Sequence, residues 1–147
     1  MKNNRVVKIV YPFILLIQIL MWVGVCVIQN MTKKSAGVMH YVYFKRYEYS
    51  NILTVEKLNI LSIITLVLAV AFLVIIFYAI KNKKDTFCIL QTKISLIMAS
   101  VLIFVIKSNL FSNLLAYYYF IMVAIVVFLI QIFWLMILFI KSKKYSK

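Results

Sequence analysis

Four stretches of this chain, residues 9–29, 58–80, 87–106 and 114–140, are long, apolar and nearly free of charge. At a rise of about 1.5 Å per residue, a helix of roughly 20 such residues spans the hydrocarbon core of a bilayer, about 30 Å thick. Water is a poor home for them. Hydrophobic residues make up 66% of the 147-residue sequence, and its mean hydropathy is +1.05. A soluble domain of this size keeps much of its surface wet and has too little interior to hide that much apolar area. The expected fold is therefore an all-α integral membrane protein, a four-transmembrane-helix bundle forming one membrane domain over residues 1–147.

The first stretch follows Lys2, Arg5 and Lys8, and Pro12 falls in its first turn, where a missing N–H costs least. It exceeds the 7–15 apolar residues of a typical signal peptide, and Val25 before Cys26 departs from the small residue a lipobox requires. A retained anchor is the expectation. The third stretch is the least regular, because Gln91, Thr92 and Lys93 interrupt it and Lys107 closes it. Lys93 is expected to snorkel to the hydrocarbon edge, where a lysine costs less than at the centre. The fourth is longer than the core requires, which puts Tyr117, Tyr118 and Tyr119 in the headgroup layer as an aromatic belt.

Orientation follows from the density of cations. Lys2, Arg5 and Lys8, then Lys81, Lys83 and Lys84, then Lys141, Lys143, Lys144 and Lys147 crowd three short segments that share one side. The opposite side has fewer cations over more residues. Both termini are thus expected in the cytoplasm. That places residues 30–57 outside as an extracytoplasmic loop of about 28 residues, read as a short hairpin or an interfacial helix. Tyr41, Tyr43, Tyr47 and Tyr49 share one parity, which would put them on one face of a strand. Tyrosines among cations suit the headgroup layer equally well if the segment is a helix.

The charge of +14 would suggest nucleic acid in a soluble protein. Here the cations flank apolar runs, so anionic lipid headgroups are the expected partner and nucleic acid is not. Ile, Lys and Asn usage suggests an AT-rich bacterial genome and hence a bacterial plasma membrane. Cys26 and Cys88 fall near opposite faces of the membrane, too far apart for a disulfide. Asn30-Met31-Thr32 matches a glycosylation sequon but abuts a span.

Candidate chemistry is sparse. The acids are Glu48, Glu56 and Asp85, all in loops, as is His40. A gradient-driven carrier commonly needs a carboxylate inside a span, and a hydrolase needs a nucleophile with a base or a metal. His40, Glu48 and Glu56 match no metal-ligand spacing. No catalytic residue, metal site or cofactor is expected, and the chain is not expected to be an enzyme. The polar span residues Gln18, Ser62, Thr65, Gln91, Thr92, Ser95, Ser100 and Gln131 read as interhelical hydrogen-bond partners, with Gln18 and Gln131 the deepest.

Two functional expectations follow. One is a non-catalytic protein that contacts another membrane protein or peptide through Tyr41, Tyr43, Arg46, Tyr47 and Tyr49, such as an immunity protein against a membrane-active peptide or an accessory subunit of a membrane complex. The other is a carrier or channel component for an anionic solute or lipid headgroup, using Lys93 and Lys107.

Overall fold

The structure, a computed structural model, describes residues 2–81 and 86–144, with side chains described for 10–81, 89–138 and 140. Among these, every regular element is a helix: α1 (Lys2–Lys34), α2 (Ala36–Ile52), α3 (Val55–Lys81), α4 (Thr86–Lys107), α5 (Asn109–Ser112) and α6 (Tyr117–Lys144). Four of them, α1, α3, α4 and α6, are long and apolar enough to cross a membrane. The chain is a multi-pass helical membrane protein.

Residues 36–52 form a helix, and no strand occurs among the described residues. Of the two forms expected for this segment, a hairpin or a helix, the hairpin is thereby corrected. Alternation of tyrosines with period two is only a side-chain pattern. Without a partner strand, the backbone satisfies its own hydrogen bonds locally as a helix, which a bilayer surface favours. The fourth apolar stretch also begins differently from its expected boundary at 114. Residues 109–112 make a one-turn helix capped by Ser108, whose hydroxyl accepts from the Leu110 N–H at 3.3 Å, and α6 starts only at Tyr117. At the other boundaries the helices run a few residues past the apolar stretches into flanking polar sequence.

The four long helices lie in a row, in the order α3, α4, α6, α1, with α4 and α6 inside. Antiparallel register is set by contacts at both ends. Tyr11 stacks with Trp134, ring centroids 6.0 Å apart, while the Gln29 Oε1 at the far end of α1 accepts from the Ala116 N–H at 3.0 Å. Between α4 and α6, Gln131 meets Gln91 and the Tyr117 hydroxyl donates to the Ile106 carbonyl at 3.1 Å. Those two pairs place Ala99 level with Ala124, both buried. Small residues at this level let the two central backbones approach, the usual device where lipid removes any hydrophobic drive between helices.

Each flanking helix buries a narrow stripe. On α3 the buried positions are Leu58, Ser62, Thr65, Phe72, Ile76 and Ala79. On α1 they include Tyr11, Gln18, Val25 and Thr32, recurring every seventh residue. Alternating steps of three and four mark the knobs-into-holes seam of left-handed packing. Much of the remaining described surface of α1 and α3, including Leu16, Leu20, Ile63 and Val67, is exposed, as an acyl-chain solvent allows.

Candidate functional site

Two polar assemblies stand out against this apolar background. The first lies within the spans, where a side chain from each of three helices meets. Gln18 on α1 donates from Nε2 to Gln131 Oε1 on α6 at 3.4 Å. Gln131 in turn donates from its own Nε2 to Gln91 Oε1 on α4 at 3.3 Å. All three are buried, and the Tyr11 hydroxyl faces Gln131 and Gln91 from the α1 side. The amides thus form a one-directional relay, α1 to α6 to α4, with an open acceptor at one end and an open donor at the other. Among the described residues, Gln18 Oε1, Gln91 Nε2 and the Trp134 indole Nε1 are buried without a hydrogen-bond partner.

Gln18 and Gln131, expected to lie deep, are brought together, and Gln91 joins them. Its signal was present: Gln91, Thr92 and Ser95 occupy adjacent turns of one helix, and all three are buried. Four of the remaining polar span residues bond to their own helix. Ser62 donates to the Asn59 carbonyl at 2.8 Å, Thr65 to Leu61 at 2.8 Å, Ser95 to Gln91 at 3.0 Å and Ser100 to Leu96 at 3.0 Å.

The second assembly is at the end of the bundle where α2 packs. Arg46 donates from one guanidinium nitrogen to the Leu114 carbonyl at 3.1 Å and from the other to the Ser112 carbonyl at 3.0 Å. These carbonyls belong to the last residue of α5 and to the turn that follows it, and the fork of the guanidinium suits two acceptors at once. Tyr49 meets Tyr119 edge to face, centroids 5.6 Å apart. Val42 is buried between these anchors. Arg46, Val42 and Tyr49 lie within one arc of α2, so this face is fixed to the bundle.

The opposite arc holds His40, Tyr43, Phe44 and Tyr47, at steps of three, one and three, and all four are exposed. Tyr43 is 65% and Tyr47 68% exposed. The five residues singled out from the sequence are therefore divided. Arg46 and Tyr49 turn inward, Tyr43 and Tyr47 turn outward together, and Tyr41 is exposed on the flank. On that flank Lys45 pairs with Glu48 at 2.6 Å. This hydrogen bond, ahead of all other influences, holds the Lys45 ammonium pKa above its ordinary value.

Lys93 is exposed on α4, and Lys107, at the α2 end of the bundle, donates to Asn59 Oδ1 at 2.8 Å. The two lysines are not brought together. Cys26 is an exposed free thiol, and Cys88 lies in the first turn of α4, at the other end of the bundle. Among the described residues no group of three or more His, Cys, Asp or Glu side chains gathers as a metal site would require. The sequence matches no protein family model, no curated protein and no solved structure.

Proposed function

We propose that the protein acts by contact, presenting the outward face of α2 to another membrane protein or peptide, and carries out no reaction of its own. One observation supports this above others: α2 is clamped by one arc while the opposite arc displays His40, Tyr43, Phe44 and Tyr47 unpaired with the bundle. Aromatic side chains held on a rigid element lose little entropy on binding and make efficient anchors. An immunity protein against a membrane-active peptide, or an accessory subunit of a membrane complex, needs such a surface and no reactive group.

In this reading both termini are cytoplasmic and α2 is outside, in a bacterial plasma membrane. The antiparallel packing of α1 on α6 and the cation density at the termini support that orientation. The carrier reading has less to stand on, since the buried relay offers neutral amides and the lysines lie outside it.

The test is site-specific photo-crosslinking in the native cell from positions 43 and 47, with exposed Ile63 on α3 as the comparison. Contact through α2 gives a discrete adduct from 43 and 47 only, lost when the neighbouring tyrosine is changed to alanine. If Lys93→Ala and Lys107→Ala abolish function while Tyr43→Ala and Tyr47→Ala are silent, the contact reading fails.

A further inference from the structure

We propose that the exposed face of α4 seats one transmembrane helix of another membrane protein, with an Asp or Glu of that helix paired to Lys93. Lys93 is the only charged residue within the four apolar stretches. It is exposed on α4, and among the described residues no hydrogen bond or ion pair reaches its ammonium. A charge inside a span ordinarily faces protein or a wet cavity and has a partner of opposite sign. Here it faces the medium around the bundle, which in a bilayer is acyl chain.

Depth decides against the headgroups. Lys93 comes seven residues after Thr86, the first of α4, and fourteen before Lys107, the last. At about 1.5 Å per residue these are roughly 10 Å and 21 Å along the axis. Gln91, two residues before Lys93, is level with Gln131 of α6 and through it with Gln18 of α1. Toward that end of the bundle, α6 runs on from Gln131 to Ile140, and α1 back from Gln18 to Ile9, before any charge occurs. Each is nine residues, about 14 Å of apolar helix. The four-carbon stem of a lysine reaches about 6 Å. Snorkelling therefore falls short of the phosphates.

The face has the form of a helix seam. The exposed residues of α4, among those described, are Leu90, Lys93, Ile97, Ser100, Phe104 and Lys107. Their steps alternate between three and four, the spacing of left-handed helix packing. Ser100 is in the middle of the stripe, its hydroxyl already given to the Leu96 carbonyl. A small residue there lets a second backbone come close. The exposed stripe of α6, from Val126 through Phe133 to Ile140, has the same spacing and is wholly apolar, so lipid alone suffices to cover it.

A second copy does not complement this face. Copies inserted in one orientation and related by a two-fold axis would set Lys93 against Lys93. The chain's acids, Glu48, Glu56 and Asp85, all fall outside the apolar stretches, so a copy brings no carboxylate to this depth. A different chain with a carboxylate inside its span does. Each charge alone is costly in hydrocarbon, and the pair makes both tolerable, which selects the partner by sign and by depth. This inference rests on α4 and is independent of the α2 contact reading.

The probe is a synthetic Leu-Ala transmembrane peptide with a single Asp about 10 Å from one end of its apolar run. Two companion peptides carry Leu or Asn at that position. The full-length protein, in phosphatidylcholine vesicles, carries a photo-crosslinker at position 97 or, for comparison, at position 133 on the α6 stripe. Adduct yield is followed against peptide concentration. The Asp peptide is expected to couple from 97 and not from 133. It is expected to bind about tenfold more tightly than the Leu peptide, the scale of a strong polar contact between helices.

Lys93→Leu leaves an apolar residue facing lipid and is expected to bring the Asp peptide down to the level of the Leu peptide. Lys93→Arg should keep the preference. Ser100→Phe, which fills the middle of the seam and retains Lys93, should weaken binding of the Asp peptide. Tyr43→Ala/Tyr47→Ala should change nothing, which separates failure of this proposal from failure of the α2 reading. Equal binding of the Asp and Leu peptides overturns the proposal, as does an Asp preference that survives Lys93→Leu or an Asn peptide that binds as tightly as the Asp one. Loss of the Asp preference when phosphatidylglycerol is added would make a lipid the occupant, and an adduct from 97 to a second copy would make it this same chain. Either result overturns the proposal.

Discussion

Gln18 and Gln131 join α1 to α6 by a side-chain hydrogen bond of 3.4 Å, between residues 113 apart in the sequence. The bond is long, and its worth lies in what it prevents: an amide orphaned in hydrocarbon. Gln131→Leu removes the shared member of the relay and strands both neighbours. The expected cost is about 1–3 kcal/mol, the desolvation penalty of buried polar groups left without partners. Replacing all three, Gln18→Leu/Gln91→Leu/Gln131→Leu, is expected to recover most of that loss, because no polar group is then left behind. Unfolding in mixed micelles with a denaturing detergent measures both. A triple variant less stable than the single one would refute the relay as drawn.

Arg46 gives the second prediction. Its two bonds to Ser112 and Leu114 fix α2 to the α5–α6 turn. Arg46→Ala is expected to raise amide hydrogen exchange across residues 110–117 by about an order of magnitude, at a cost near 1.5 kcal/mol for charge-assisted bonds in a partly wet site. Arg46→Lys keeps the charge without the fork and should rescue little. Tyr43→Ala and Tyr47→Ala, on the exposed arc, should leave exchange in that segment unchanged.

The third prediction concerns the level where Ala99 faces the α6 side and Ala124 the α4 side. Both are buried, at 0% and 3% exposure, so a larger side chain has nowhere to go. Ala99→Leu or Ala124→Leu is expected to destabilise by about 1–3 kcal/mol through overpacking. Ala71→Leu, on an exposed face of α3, should be silent. Thermal unfolding in detergent separates the two cases.

A fourth prediction is one of pH. The Glu48 carboxylate raises the Lys45 pKa above its ordinary 10.5, so the folded value exceeds the unfolded one. The pair's contribution is then complete below the ordinary lysine value and is lost as pH rises through the raised one. Nitrogen NMR of the Lys45 ammonium group should show it titrating above the ordinary lysine value. Glu48→Gln should return it to the ordinary range.

Much of this architecture is legible in the sequence, but by two different signals. Apolar length alone announces four spans. It cannot tell which face of a span packs, because lipid and protein interior favour the same side chains. The faces are marked instead by the exceptions: Gln18, Ser62, Thr65, Gln91, Thr92, Ser95 and Gln131 are all buried, while Asn59, Lys93 and Ser100 are exposed. Gln29, at the end of the apolar run of α1, and Thr32 beyond it continue the same stripe. The segment 30–57 was harder to read, since tyrosines at alternate positions satisfy a strand pattern while carrying no information about a partner strand. In a helix the same tyrosines scatter, and the division of α2 into a clamped arc and a free arc depends on Arg46 finding carbonyls 66 and 68 residues away. No local pattern encodes that meeting.

The row order of the helices has a consequence for biogenesis. α1 is synthesised first, yet its packing partners are α2 and α6, and α6 is synthesised last. Until α6 enters the bilayer, Gln18 has no Gln131 to meet and Gln29 has no Ala116 N–H to accept. The oldest helix must therefore wait with only α2 packed against it while α3 and α4 close on each other, and the arrival of the youngest between α4 and α1 joins the two halves.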